Sequence, residues 1–170
     1  MPLAWIGLGS NLANDSGDSR QILREAVQTL RQLGTLQVSA LYASAPMGPQ
    51  DQPDYLNAVV CVDTELLPYA LLAYLQAMEQ AAGRQRLRRW GERTLDLDIL
   101  LMQGVQMDAP QLVIPHAGLM QRSFVVQPML DVQADLQLDG VYLRDLAVAQ
   151  AADGIRLVAR GDWANAPLLD

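Results

Sequence analysis

Two aspartates, Asp96 and Asp98, stand two residues apart just after a cluster of five arginines, Arg84, Arg86, Arg88, Arg89 and Arg93. Around them Thr94-Leu95-Asp96-Leu97-Asp98 alternates polar with apolar, and Ile99-Leu100-Leu101 is wholly apolar. Period-two alternation with branched residues predicts a strand. Residues i and i+2 of a strand share a face, so the two carboxylates point the same way, roughly 6–7 Å apart at a rise of ~3.3 Å per residue. Neighbouring carboxylates repel unless a cation lies between or above them. The candidates are Mg²⁺, which takes a few carboxylates together with substrate phosphates, and the upstream arginines. An anion-handling loop that runs into a metal-binding strand suits phosphoryl transfer. The competing reading is a solvated edge strand whose charges pair on the surface. The apolar flanks oppose it and predict a central strand, where aspartates seldom sit without partners.

The elements that must position this stretch follow from the pattern on either side. Residues 3–8 form an apolar strand ended by the turn Gly9-Ser10-Asn11, and residues 14–20 read as a loop. Ile22, Leu23, Ala26, Val27, Leu30 and Leu33 repeat at three- and four-residue spacing and stop at Gly34, which predicts an amphipathic helix. Residues 36–43 alternate as a second strand. The segment 44–54 holds three prolines and a glycine, too long and irregular for a plain connection, which points to an ordered functional loop. Residues 55–65 are β-rich and pair with the preceding strand. Pro68 opens a second helix that runs to Gly83. After the Arg-rich loop and the Asp strand, Gly104 turns the chain into a hairpin through 105–107, and 109–116 is extended around its prolines. Residues 118–132 read as helical turns broken at Pro128, 143–149 as a last helix and 155–159 as a strand. The order is β-α-β-β-α-β, a split βαβ arrangement of the α+β class with two helices on one sheet. The absence of a helix between the second and third strands opposes a doubly wound parallel sheet.

Composition narrows the partners. A chain of 170 residues, 51% hydrophobic and 18% charged, suits one globular domain over 1–170 with a proper core. All twelve basic residues are arginine, and five of them fall in the cluster above. A net charge of −7 argues against a broad nucleic-acid or anionic-membrane footprint while leaving room for a small anionic ligand. Cys61 is the single cysteine, so no disulfide or cysteine-based metal site forms. Neither a signal peptide nor a membrane-spanning run is visible, which places the expected protein in the cytoplasm.

Four motifs together resemble the 6-hydroxymethyl-7,8-dihydropterin pyrophosphokinase family of folate biosynthesis. They are Gly9-Ser10-Asn11-Leu12, the stretch from Gly48 through Tyr55-Leu56-Asn57-Ala58, Arg93-Thr94-Leu95-Asp96-Leu97-Asp98, and Pro115-His116. The first and last are weak alone; the long loop ending in Tyr-Leu-Asn, followed by Arg-Thr-Leu-Asp-Leu-Asp, is specific. The likeness covers residues 6–130, with nothing carried beyond about 139. It implies a ferredoxin-like fold and transfer of diphosphate from ATP to the pterin's hydroxymethyl oxygen, with AMP leaving. By similarity Asp96 and Asp98 bind two Mg²⁺, Arg84 and Arg93 stabilise charge, and Arg86 touches phosphate. Ser44, Ala45, Met47, Tyr55, Asn57, Trp90 and Phe124 form the pterin pocket, Tyr55 and Phe124 as the stacking pair. Gln76, Glu79, Arg86, Trp90, Arg93, Ile99, His116 and Arg122 fall at ATP positions.

The chain departs from the family pattern at Ala45 and Glu92, where proline is usual. Gln111, Val113 and Ala117 replace polar, basic or aromatic residues on the nucleotide side. The expected partners are small molecules, ATP and the pterin, with no nucleic acid or membrane, and a monomer. Two rival functions remain: a two-metal phosphohydrolase built on Asp96 and Asp98, and a paralogue that binds pterin or nucleotide without turnover.

Overall fold

The computed structural model describes residues 2–46, 48–83, 92–151 and 154–165. It is an α+β structure. Along the chain run β1 (Leu3–Ser10), α1 (Ser19–Leu30), β2 (Leu36–Val38), β3 (Leu41–Ser44), β4 (Tyr55–Asp63), α2 (Pro68–Ala81) and β5 (Asp96–Met102). They are followed by β6 (Met107–Ala109), β7 (Leu112–Ile114), α3 (Ser123–Val132), β8 (Gln137–Leu138), β9 (Val141–Tyr142), α4 (Ala147–Ala151) and β10 (Ile155–Ala159). The main sheet has the order β10-β3-β4-β1-β5, with β2 also on β4, and each of these pairings is antiparallel.

Alternation along the strands builds two cores. Ala4, Ile6 and Leu8 of β1 join Val60, Val62, Leu97 and Ile99 beneath α1 and α2, which contribute Ile22, Leu23, Val27, Leu30, Leu71 and Leu75. Trp5, Val59, Cys61 and Leu100 face the other way, toward Val125, Val126 and Met129 of α3. The sheet is therefore covered on both faces, which a strand with period-two burial on each side requires. Asp18 caps α1 by accepting the Gln21 N–H at 3.0 Å, so the helix begins at Ser19, inside the segment expected to be loop. Gly34 ends the connection where a Cβ would lie 1.8 Å from the Asp63 carbonyl oxygen, a contact only glycine permits.

Several expectations are corrected. β5 lies at one end of the main sheet rather than in its middle. It is buried because its outer backbone is covered: Glu79 accepts the Leu97 N–H at 2.9 Å, and the His116 N–H donates to the Leu100 carbonyl at 2.8 Å. The predicted second strand is interrupted at Ser39 and Ala40, where the Ser39 hydroxyl accepts the Val59 N–H at 2.8 Å. The hairpin expected through 105–107 forms instead between β6 and β7. Pro128 does not break α3; it sits inside the helix, where it forgoes only the bond to the Phe124 carbonyl, and it is buried. The helix expected over 143–149 is a 3₁₀ turn at Leu143–Asp145 followed by α4.

The strand expected at 155–159 forms as β10 and extends the sheet beyond β3, with Ile155 opposite Ser44. Behind it Trp163, 2% exposed, donates its indole N–H to the Ser39 carbonyl at 2.9 Å. The segment that carried no family signal thus braces the sheet edge that bears Ser44.

Candidate active site

On the α3 face, β1 carries Gly7 and Gly9 in line with Trp5, so apolar packing stops where the glycines begin. The register sets Asn57, Gly9 and Asp96 in one row across three strands, and Val59, Gly7 and Asp98 in the next. A Cβ at Gly9 would reach within 3.6 Å of Asn57 Oδ1 and of the Tyr55 ring, so the missing side chain is the floor of a cavity. That cavity, about 220 Å³, is lined by Gly7, Gly9, Ser44, Ala45, Tyr55, Asn57, Arg93, Asp96, Asp98, Leu100, Arg122 and Phe124, among others. Its volume falls below the usual range for a drug-sized ligand, ~300–1,000 Å³, and suits one small ring system.

Each wall has a physical cause. Tyr55 and Asn57 lie two apart on β4 and share a face. Asn57 Nδ2 donates to the Ser44 hydroxyl at 2.7 Å, which fixes the amide plane and leaves Oδ1 over Gly9. Burial, and then the Asp96 carboxylate, push the Tyr55 hydroxyl up to about 12, with Arg93 opposing; phenol, carboxylate and guanidinium are therefore electrostatic neighbours. Phe124 stands in the first turn of α3, and the Arg122 guanidinium lies over its ring at 5.9 Å. Arg93 Nη1 is buried with no hydrogen-bond partner among the described residues, a cationic donor left without an acceptor beside two carboxylates.

The remaining predicted positions are more scattered. Gln76 is exposed on α2, and Glu79, 3% exposed, holds the β5 backbone from the α2 side. Ile99 buries its side chain in the core beneath α1 and α2. His116 follows the cis Ile114–Pro115 bond, and the Gly118 N–H donates to its Nδ1 at 3.1 Å, leaving the neutral ring's proton on Nε2. Burial and then the nearby Arg122 hold the His116 imidazole below its ordinary 6.5, and Asp96 opposes them. Gln76, Glu79, Ile99 and His116 stand outside the cavity lining. Met47, Arg84, Arg86 and Trp90 lie outside the described residues.

Sequence reasoning assigned no site role to Gly7, Gly9 or Asn11, although the last two stand in the Gly9-Ser10-Asn11-Leu12 motif. The glycines carried a readable signal, an alternation Trp5-x-Gly7-x-Gly9 in phase with the side opposite Ala4, Ile6 and Leu8. Asn11 carried a turn and a place in the Gly9-Ser10-Asn11-Leu12 motif, neither of which named its partners.

An antiparallel α+β sheet with a glycine-floored cleft, lined by paired carboxylates, arginines and two aromatic rings, has the chemistry to receive a small flat ligand next to an anion. Comparison with known proteins makes this particular. The sequence model of the 7,8-dihydro-6-hydroxymethylpterin-pyrophosphokinase (HPPK) family matches residues 5–134. A Haemophilus influenzae relative, 2-amino-4-hydroxy-6-hydroxymethyldihydropteridine pyrophosphokinase, is 44% identical over 153 residues, 90% of this chain and 95% of its own. A Pseudomonas aeruginosa protein of the same name is 44% identical over 152 residues, 89% of this chain and 93% of its own. The crystal structure of Plasmodium falciparum HPPK-DHPS with pteroate superposes with a TM-score of 0.69 at 14% identity. That match covers 89% of this chain but 42% of the longer one, and it bears on the fold alone. The chain belongs to the HPPK family.

Proposed function

We propose that this protein transfers the β- and γ-phosphates of ATP, as one diphosphate, to the hydroxymethyl oxygen of 6-hydroxymethyl-7,8-dihydropterin. The new bond joins that oxygen to the β-phosphorus as the hydroxyl O–H bond breaks and the proton is released. The bond from the β-phosphorus to the oxygen bridging the α-phosphate breaks, and AMP leaves. The observation that carries this reading is the convergence of Tyr55, Asn57, Phe124, Asp96, Asp98 and Arg93 on one cavity sized for a single small ring system. Family membership and the relatives' names support the same activity in folate biosynthesis.

The residues divide the work by chemistry. Tyr55 and Phe124 offer aromatic faces to the pterin; offset stacking adds ~0.5–1.5 kcal/mol beyond burial. Asn57, with Ser44 fixing its amide, offers Oδ1 to the heterocycle's N–H edge. Arg93 and Arg122 meet phosphate oxygens, and the guanidinium fork makes an arginine-to-lysine change there non-neutral. His116, neutral, presents an Nε2–H donor on the nucleotide side. Arg84 and Arg86 belong to the same reading by family pattern.

Two carboxylates on one face, opposite glycines that leave room above them, fit Mg²⁺, which prefers one or two carboxylates completed by phosphate oxygens. Asp96 and Asp98 would hold it, and no cluster of three metal-ligating side chains competes among the described residues. When bound, a pair of such ions would neutralise charge on the triphosphate during in-line displacement.

The strand order β5-β1-β4-β3 with α1 and α2 on one face supports a ferredoxin-like assignment. We read the chain as one domain and a cytoplasmic monomer; no helix among the described residues is long and apolar enough to cross a membrane.

AMP release with and without the hydroxymethyl dihydropterin tests the function. AMP formed only with acceptor is expected. Inorganic phosphate without acceptor would mark a phosphohydrolase, and ligand binding without turnover would mark a non-catalytic paralogue.

A further inference from the structure

Asn11 directly follows β1 and is 5% exposed, too buried for a polar side chain without partners. Its side chain is saturated by two separate loops. Nδ2 donates to Gln52 Oε1 and to the Pro53 carbonyl, each at 2.9 Å. Oδ1 accepts the Arg93 N–H at 2.8 Å. The backbone repeats the second link, since the Asn11 and Leu12 N–H groups donate to the Arg93 carbonyl at 3.0 and 3.1 Å. One amide therefore ties the segment two residues before Tyr55 to the backbone of Arg93. Tyr55 and Arg93 both line the cavity, and the Arg93 guanidinium is close enough to oppose the upward push of burial on the Tyr55 phenol.

We infer that Asn11 is a positioning residue that sets the separation between the ring stacked on Tyr55 and the Arg93 guanidinium. The inference rests on the function proposed above, in which those two groups meet acceptor and phosphate. It is a mechanical role: Asn11 stands outside the cavity lining and touches the backbone of Arg93 and the loop before Tyr55. Asparagine suits the place because it offers donors and an acceptor on one short rigid arm. Reacting groups that miss their alignment by about 1 Å lose ~10²-fold in rate, so a fixed spacing here matters more than the strength of any one bond.

The two halves of the link can be cut separately. Asn11→Asp keeps an oxygen for the Arg93 N–H and replaces the donor facing Gln52 and Pro53 with a second acceptor. Asn11→Leu removes both halves. Titration with 6-hydroxymethylpterin and with ATP, alongside acceptor-dependent AMP release and thermal melting, reads the result. Asn11→Asp is expected to weaken pterin binding roughly tenfold with ATP affinity unchanged. Asn11→Leu should in addition lower kcat by about 10²-fold. Pterin affinity and kcat at wild-type values in Asn11→Asp, or pterin and ATP affinities falling together, would overturn the inference even if melting drops. Should Asn11→Asp not fold, Gln52→Ala decides: it removes one acceptor from the loop side and should weaken pterin selectively by a few-fold, and unchanged pterin affinity there overturns the inference as well. Absence of acceptor-dependent AMP release from the wild-type chain would instead overturn the proposed function, and the inference with it.

Discussion

On the face covered by α1 and α2, β1 and β5 present Ala4, Ile6, Leu8, Leu97 and Ile99, none more than 5% exposed. On the opposite face the same two strands present Trp5, Gly7, Gly9, Asp96 and Asp98, and only the Trp5 end is packed by α3. Since successive residues of a strand point to opposite sides, Ala4, Ile6, Leu8, Leu97 and Ile99 serve stability on one side, while on the other Trp5 and Leu100 pack and Gly7, Gly9, Asp96 and Asp98 line the cavity. The two tasks are thereby separable. A change on the first face should cost folding free energy and spare the chemistry, and a change at the cavity end of the second, Gly9 or Asp98, should do the reverse.

The largest break in this division is expected from Asp98→Asn. Loss of a full charge in the site should lower acceptor-dependent AMP release by ~10²–10³-fold or more, the scale of removing one preorganised electrostatic group. Its melting temperature should stay within a few degrees of wild type. Full activity in that variant would remove the role assigned to the carboxylate pair. Ile6→Ala, on the opposite face and 0% exposed, should do the converse: a loss of about 2–5 kcal/mol in denaturant unfolding, with kcat of the folded protein unchanged. A kcat that fell with stability would mean the faces are coupled.

Gly9→Ala sharpens the comparison. The added Cβ would make only ordinary contacts, 3.6 Å from Asn57 Oδ1 and the Tyr55 ring, so the empty protein accepts it. A bound ring does not, and pterin affinity should fall roughly tenfold, about 1.4 kcal/mol, with unchanged melting. Equal affinity would mean that the ligand does not rest on the β1 floor.

The same separation explains what the sequence disclosed. Leu97 and Ile99 alternating with Asp96 and Asp98 announced both a strand and a two-sided one, and the spacing of Ile22, Leu23, Ala26, Val27 and Leu30 announced α1. These signals are local, set by backbone period alone. β5 read as central because its flanks are apolar, yet burial at a sheet end comes from Glu79 and His116, contributed by remote segments. β10 pairs with a strand more than a hundred residues earlier, and its exposed Leu157 and Val158 blur any alternation. Asn11 read as a turn residue because its partners Gln52, Pro53 and Arg93 are 41, 42 and 82 residues away. What stayed hidden was every property decided by which loops meet.

His116 gives the smallest and most specific test. Burial, then Arg122, hold its folded-state titration below the 6.5 of an unfolded histidine. Between those two values the unfolded chain binds a proton that the folded one refuses, so acidification favours unfolding. The contribution is fully present above the unfolded value, is lost as pH falls toward the folded one, and is constant below it. Denaturant unfolding from pH 7.5 to 5.5 should therefore lose more stability in the wild type than in His116→Gln, by a small margin because the ring is partly exposed. Bound ATP would add a phosphate beside the ring, favour the imidazolium and shrink that difference. An acid loss of equal size in both proteins would mean that His116 titrates as it does in solvent. The Nε2 donor assigned to the nucleotide side would then charge as readily as a free histidine on acidification, instead of staying the neutral group that its burial and Arg122 impose.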